Sequence, residues 1–174
     1  MYFDVSQISL TSQAFVHAEK MAAKHYRLSD GEIKSLRYDV KTLANLAEHE
    51  VSENAFAHLC RYHYEGEKSP GQEGGFYFYR ICLQDNRIID AVQRAGSIIK
   101  FPPLILYIAV HELVHVIRFN AGEGNFDVLP EEKEQEERKV HAITGQILSS
   151  RSDPDLPIVL DCFSDRHRID KLLN

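Results

Sequence analysis

Two histidines and a glutamate interrupt the most apolar run of the chain. In YIAVHELVHVIRF, residues 107–119, aliphatic side chains surround His111, Glu112 and His115. Residues four apart differ by about 40° around an α-helix, so the two imidazoles point the same way, one turn apart. Two such rings can bind one Zn²⁺, and Glu112, about 100° away, can take a proton from a metal-activated water. The spacing therefore predicts a metal site with a general base beside it.

The apolar surroundings favour this interpretation over an accidental match. The alternative is a pair of core histidines bonded to backbone carbonyls, with Glu112 paired to a basic side chain such as Arg118. Chance matches to a three-position pattern usually fall on polar surfaces. Here each unpaired polar group inside the helix would cost several kcal/mol, and a bound cation would offset that cost. We therefore expect Zn²⁺ at His111 and His115.

A third protein ligand should come from the next helix, because catalytic zinc needs three ligands and an open position. HELVH followed by EERKVHAIT resembles the Glu-zincin metallopeptidases, in which the third ligand is a Glu followed by two variable residues, Ala, and Asp or Asn. The resemblance places Glu137 as the ligand, Val140 at the small position and His141 where Asp or Asn would stand. It covers about residues 104–148 and implies a zincin-like fold and peptide hydrolysis.

Three alternatives for the third ligand are open. His141 could bind the ion itself, or it could orient one of the histidines on the preceding helix. Glu136 is one position from Glu137, and Glu123 lies in a glycine-containing loop that would hold a ligand less rigidly. Helical spacing groups Glu137 with His141 at the edge of the apolar face, so we expect Glu137 to face the core edge.

The rest of the sequence predicts one mostly helical α+β domain, residues 1–174, with a small antiparallel sheet before the motif helix. AFAHLCRYHYE and FYFYRICLQ are rich in β-favouring residues and predict the two strands, joined by the loop GEKSPGQEGG. Apolar periodicity and capping residues predict helices from Thr11 or Ser12 to about Arg27, from Ser29 or Asp30 through Leu46, from Asp85 as cap to Gly96, from Pro102 or Pro103 to about Asn120, from Pro130 through Leu148, and after Ser164.

The resemblance also implies a substrate site. In such families an edge strand of the sheet pairs with an extended peptide, and FYFYRICLQ occupies the matching place in chain order. The alternative for this segment is an ordinary core strand. A further group should stabilise the oxyanion, and nothing in the sequence selects among six candidates: Tyr62, Tyr64, Tyr77, Tyr79, His58 and His63.

Composition excludes several other classes of protein. A net charge of −6 over 174 residues, without a dense Lys/Arg patch, argues against nucleic-acid binding. Lys100, two prolines and the motif itself divide the apolar run 98–119 too finely for a membrane span. The N-terminus lacks the features of a secretion signal. Cys60, Cys82 and Cys162 lie far apart, which indicates neither a disulfide framework nor a zinc ribbon, and suggests a reducing cytoplasm.

Two functions are consistent with these features. The first is a compact zinc peptidase that acts on a peptide or protein, with Glu112 as general base and His111, His115 and Glu137 as ligands. The second is a zincin-like regulatory or binding protein that keeps the metal with little turnover. Glu112 favours the enzyme, because a structural zinc does not need a base between its ligands. A cleft filled by the N-terminal helices or the C-terminal tail would restrain activity. Oligomeric state is not indicated.

Overall fold

The computed structural model describes residues 1–65 and 75–164, which form six α-helices and one three-stranded sheet. In chain order the elements are α1 Val5–Tyr26, α2 Asp30–Ser35, β1 Tyr38–Lys41, β2 Ala57–Glu65, β3 Gly75–Leu83, α3 Asp85–Ala95, α4 Phe101–Asn120, α5 Pro130–Ser149 and α6 Leu156–Ser164. The α+β class is confirmed. The predicted helix after Ser164 and most of the predicted loop GEKSPGQEGG lie outside the described residues.

Helix α4 is the centre of the core, and every residue from Pro103 to Arg118 is buried. It packs against α1 along most of its length and against α5 and α6 on other sides. By length and composition alone α4 could cross a membrane, but 89% of its most apolar stretch is buried inside the fold. It is therefore a core helix, as the polar residues within its apolar sequence predicted. It starts at Phe101, one residue before the first of the two prolines expected at its start.

The sheet has the order β1–β3–β2 and is mixed rather than antiparallel. Strands β2 and β3 form the predicted antiparallel hairpin, with Ala57 opposite Leu83 and Glu65 opposite Gly75. Strand β1 adds a parallel pair on the other side of β3, with Tyr38 opposite Tyr79. Of the two alternatives for FYFYRICLQ, the edge strand is therefore wrong and the core strand is confirmed. That segment is the central strand, and β1 and β2 are the two edge strands.

The predicted helix from residue 30 through Leu46 is also wrong beyond α2. Helix α2 ends at Ser35, β1 follows, and two single-turn 3₁₀ helices lie at Leu43–Asn45 and Glu48–Glu50. The apolar residues whose spacing predicted this helix are all half-buried. The prediction that they face inward is therefore right, but their helical spacing did not produce a helix. Pairing with β3 gives this backbone hydrogen bonds that a short helix would not match in stability.

Two helices begin at other residues than predicted. One begins at a local capping box, and the other lacks its expected cap because that side chain bonds to distant parts of the chain. Helix α1 is capped by Asp4, seven or eight residues before the expected caps Thr11 and Ser12. The reason is that Asp4 and Gln7 form a reciprocal capping box with bonds of 2.8 and 2.9 Å. Asp85 does not cap α3 but is its first residue. Its carboxylate instead accepts from the backbone N–H groups of Phe3 and Leu43, both at 3.0 Å, which ties the N-terminus to the sheet.

Candidate metal centre

The structure brings the two motif histidines of α4 and Glu137 of α5 together. Glu137 Oε2 lies 3.4 Å from His111 Nε2, and Glu137 Oε1 lies 3.3 Å from His115 Nε2. The two imidazole centroids are 4.9 Å apart with the rings edge to face. Helix geometry explains this arrangement, since the rings occupy successive turns of one face of α4 and α5 packs alongside it. One carboxylate thus faces both Nε2 atoms.

Electrostatics at this triad keeps Glu137 ionised. Burial alone would raise the pKa of Glu137, but its contacts with His111 and His115 hold that pKa well below its usual range. Burial would likewise lower the pKa of His115, but the Glu137 carboxylate and nearby Glu112 raise it. The acid is therefore available as an anionic ligand.

The separations within the triad suit a shared cation better than direct ion pairs. Charge-assisted N–H···O bonds are usually about 2.7–2.9 Å long. Two ligand atoms each about 2.0–2.1 Å from one tetrahedral Zn²⁺ lie about 3.3–3.4 Å apart, which is the separation seen at both histidines. The other ring nitrogen of His115, Nδ1, is buried and has no hydrogen-bond partner in the described part of the chain, so no described group orients this ring from behind. The donor set of two imidazoles and one carboxylate fits zinc.

Glu112 is buried beside the triad, with 6% of its surface exposed. Burial raises its pKa to about 7, with a further rise from Glu137 and an opposing effect from His115. Arg118, the partner considered for Glu112 in a metal-free core, is bonded elsewhere. Its guanidinium donates to both carboxylate oxygens of Glu136, at 2.6 and 3.0 Å.

The same guanidinium engages two of the alternative third ligands. Arg118 also donates to Glu123 Oε2 at 2.9 Å, so both Glu136 and Glu123 are held as ion-pair partners near the C-terminal end of α4. Gly124 packs onto this pair, since a Cβ there would lie 2.7 Å from Glu136 Oε1. These contacts favour Glu137 over Glu136 and Glu123 as the ligand.

His141 lies on the His111 side of the site. Its Nδ1 is 2.5 Å from the Tyr107 hydroxyl, and its ring centroid is 4.6 Å from that of His111. Ligand atoms of His111, Glu137 and His141 all fall within 4.8 Å of one another. His141 is therefore placed either to orient His111 or to bind the ion, and both alternatives from the sequence stand.

A cavity of about 890 Å³ opens onto the motif between β2, the loop after α4 and the start of α5. Glu112 and the three residues of the triad line it, and so do Ala57, His58 and Leu59 of β2. Of the six candidates for the oxyanion role, His58 lines this cavity. The other five are absent from the described part of its wall; Tyr62 donates instead to Glu50, and Tyr79 is in the core.

Helix α6 closes a different side of the site. A smaller cavity of about 110 Å³ lies between His111, Tyr107 and Phe163, and the Phe163 ring stacks on Tyr107 with centroids 4.1 Å apart. Within the described residues, neither α1, α2 nor α6 contributes to the wall of the larger cavity. The described N-terminal helices therefore do not fill this cavity, and of the two segments considered for occlusion, the C-terminal tail after Ser164 lies outside the described residues.

A second group of potential ligands was missed in the sequence. His58 and Cys60 of β2 and Cys82 of β3 have donor atoms within 4.8 Å of one another. The two cysteines are far apart in sequence, but the hairpin register places His58 directly opposite Cys82. The alternation His58–Cys60 was a signal, because residues two apart on a strand share a face. Its partner could be found only once the register was known.

Comparisons of the chain with protein-family models, with curated proteins and with solved structures each gave no match. The resemblance to Glu-zincins therefore rests on the motif and on the helix that carries Glu137. What the site does must be argued from its own geometry and chemistry.

Proposed function

We propose that this protein is a zincin-like, zinc-dependent peptidase that hydrolyses peptide bonds in peptide or protein substrates. The observation that carries the proposal is the position of the Glu137 carboxylate, 3.4 and 3.3 Å from the Nε2 atoms of His111 and His115. These three groups would hold the ion. A bound Zn²⁺ would supply Lewis acidity, which polarises a substrate carbonyl and lowers the pKa of water to about 7.

Glu112 is the residue that would move the proton. Its carboxylate lies beside the two ligands on α4, lines the large cavity and has a pKa raised by burial to about 7. A base of that strength can accept a proton from the attacking water near neutral pH and can then return it to the leaving amine. A carboxylate held at its usual pKa would be a weaker base, and near neutral pH it would rarely carry the proton that the leaving amine needs.

Strand β2 is the proposed site for the substrate backbone. It is one of the two edge strands of the sheet, and its residues Ala57, His58 and Leu59 line the cavity that holds Glu112. An extended peptide could add to this edge through main-chain hydrogen bonds, which would set its scissile bond against the motif. The correction of the sheet order thus moves the proposed substrate edge from FYFYRICLQ to AFAHLCRYHYE.

The test combines metal content with hydrolysis. We expect the purified protein to carry zinc at the triad, and His111→Ala to lose it. Glu112→Gln should keep the zinc and lose hydrolysis of an unstructured protein substrate such as casein by roughly 10²–10⁴-fold. Glu132→Gln, an exposed position on α5, is the matched control and should keep both. Equal hydrolysis by Glu112→Gln would remove Glu112 from the mechanism.

The alternative of a regulatory or binding protein makes a different prediction in the same experiment. Such a protein would retain zinc in the wild type but would hydrolyse no peptide bond, so Glu112→Gln would change nothing. Wild-type protein without zinc would reject both functions.

A further inference from the structure

The second ligand group lies on the polar face of the sheet, next to the wall of the large cavity. His58 and Cys60 alternate along β2, and Cys82 of β3 is directly opposite His58. Directly opposed residues and residues two apart along a strand share a face, so all three side chains project to the same side of the sheet. This is the opposite face to that of Ile81 and Leu83, which pack into the core.

The donor atoms of this group converge. Cys60 Sγ lies 3.6 Å from His58 Nε2, and all three donors lie within 4.8 Å of one another. At Zn–S and Zn–N bond lengths of about 2.3 and 2.0–2.1 Å, a sulfur and a nitrogen bound to one tetrahedral ion are about 3.5–3.6 Å apart. The His58 Nδ1 atom is buried and has no hydrogen-bond partner in the described residues, so no protein bond opposes a small rotation of the ring.

Neither of the ordinary roles of paired cysteines suits Cys60 and Cys82. They are diagonal neighbours in the register, and diagonal Cα atoms are about 7–8 Å apart, beyond the usual range for a disulfide. Both are free thiols. Burial raises the pKa of each thiol, so without an ion both are protonated and poor nucleophiles, and only a bound cation would hold them as thiolates.

We propose that His58, Cys60 and Cys82 form a second metal site, which takes a thiophilic divalent ion such as Zn²⁺ through two thiolates and one imidazole. On binding, each thiol loses its proton to solvent, so two thiolates balance the charge of the ion. Cys82 is fully buried, while Cys60 and His58 are half-buried, and His58 lines the cavity, so an ion can enter from solvent.

Such an ion would join the edge strand to the central strand. It would hold β2 through His58 and Cys60 and β3 through Cys82, next to Ala57 and Leu59, which form part of the cavity wall. With three protein ligands and the fourth position left to solvent, such a site would fix the position of the edge strand β2. The inference does not depend on the proposed hydrolysis, because no ligand is shared with the triad on α4 and α5.

Cobalt substitution distinguishes the two sites, because thiolate ligands give Co²⁺ an intense near-ultraviolet charge-transfer band that imidazole and carboxylate ligands do not. We expect the wild-type protein titrated with Co²⁺ to develop this band and to bind two equivalents. Cys82→Ser should abolish the band and retain one equivalent. Cys162→Ser, which changes the third cysteine on α6, is the matched control and should keep the band. His111→Ala should keep the band and lose the other equivalent.

Three results would overturn the inference. The first is wild-type protein with three free thiols that shows no charge-transfer band at saturating Co²⁺. The second is wild-type protein with a Cys60–Cys82 disulfide, shown by one free thiol in place of three under denaturing titration. The third is a band that persists in folded Cys82→Ser. If Cys82→Ser does not fold, Cys60→Ser at the half-buried position replaces it, and a band that persists there would equally overturn the inference.

Discussion

Two glutamates of this protein are almost completely buried, yet their pKa values are shifted in opposite directions from the ordinary value. Glu112 on α4 is 6% exposed and Glu50, beside the sheet, is 1% exposed. Burial raises the pKa of Glu112 to about 7. Burial has the same tendency at Glu50, but hydrogen bonds from Tyr62, the Ala47 N–H and Arg80 lower its pKa to about 2.

The difference lies in the partners and not in the depth of burial. Glu50 accepts from the Tyr62 hydroxyl, from the Ala47 N–H at 2.8 Å and from Arg80 at 3.1 Å, and Arg80 also pairs with Asp39 across β1 and β3. The side-chain carboxylate of Glu112 accepts no hydrogen bond from the described residues of the chain. A buried carboxylate with three hydrogen-bond donors stays ionised and stabilises the fold. A buried carboxylate without donors has a raised pKa, so it can gain and lose a proton near neutral pH.

The largest expected effect is on the affinity for zinc at the site between α4 and α5. Glu137→Ala should reduce zinc affinity by at least about 100-fold, because it removes the anionic member of the triad. His141→Ala should retain the metal if His141 only orients His111. Zinc content after dialysis against a weak chelator measures both, with exposed Glu132→Ala as control. Loss of metal only in His141→Ala would reassign the third ligand to His141.

Stability should separate the two buried glutamates in the metal-free protein. Glu50→Ala should cost about 3 kcal/mol in free energy of unfolding, because Tyr62, Arg80 and the Ala47 N–H lose their common acceptor. Glu112→Gln should be neutral or stabilising, since it replaces a carboxylate that has no donor. Urea unfolding in the presence of a strong chelator measures both values. A larger loss for Glu112→Gln than for Glu50→Ala would contradict the comparison.

The free energy of unfolding should depend on pH in the range where Glu50 is protonated. Its pKa in the folded protein, about 2, is below the ordinary glutamate value of 4.5 that applies to the unfolded chain. Its contribution is therefore fully present above pH about 4.5 and is lost as the pH falls towards 2. The difference in unfolding free energy between wild type and Glu50→Gln should shrink over this window. A difference that stays constant from pH 6 to pH 3 would show that the network does not depend on the charge of Glu50.

Both glutamates also show what the sequence could and could not predict. The motif on α4 was recognisable because its geometry is set by one helix, and Glu137 was implied by the resemblance to the Glu-zincin pattern, with which the helical period of α5 agrees. The Glu50 network requires the order of the sheet, since Arg80 reaches Glu50 only because β3 is central. The same non-local pairing converted the predicted helix after residue 35 into β1.

The cysteines of the β2–β3 hairpin illustrate the same limit. Their types and alternation with His58 were visible in the sequence, but the distance of Cys60 from Cys82 along the chain gave no sign of contact. Strand register decides such contacts, and a shift of one residue would place Cys82 on the other face. The helical motif and the family resemblance therefore located the residues of the α4–α5 site, while long-range pairing was needed for those of the sheet.

A third buried glutamate, Glu136, gives the smallest and most local test. It is paired with Arg118, like Glu50 with Arg80, and Gly124 packs directly on it. Gly124→Ala would place a Cβ 2.7 Å from Glu136 Oε1, so the ion pair or the loop must shift, at a cost of about 1 kcal/mol. Gly145→Ala on α5 is the matched control, because no atom lies within 4 Å of its added Cβ and alanine favours the helix by about 0.5–1 kcal/mol. Thermal unfolding should therefore move in opposite directions for the two variants. A stabilising Gly124→Ala would show that the partnered carboxylate on α5 is held less rigidly than its contacts with Arg118 indicate.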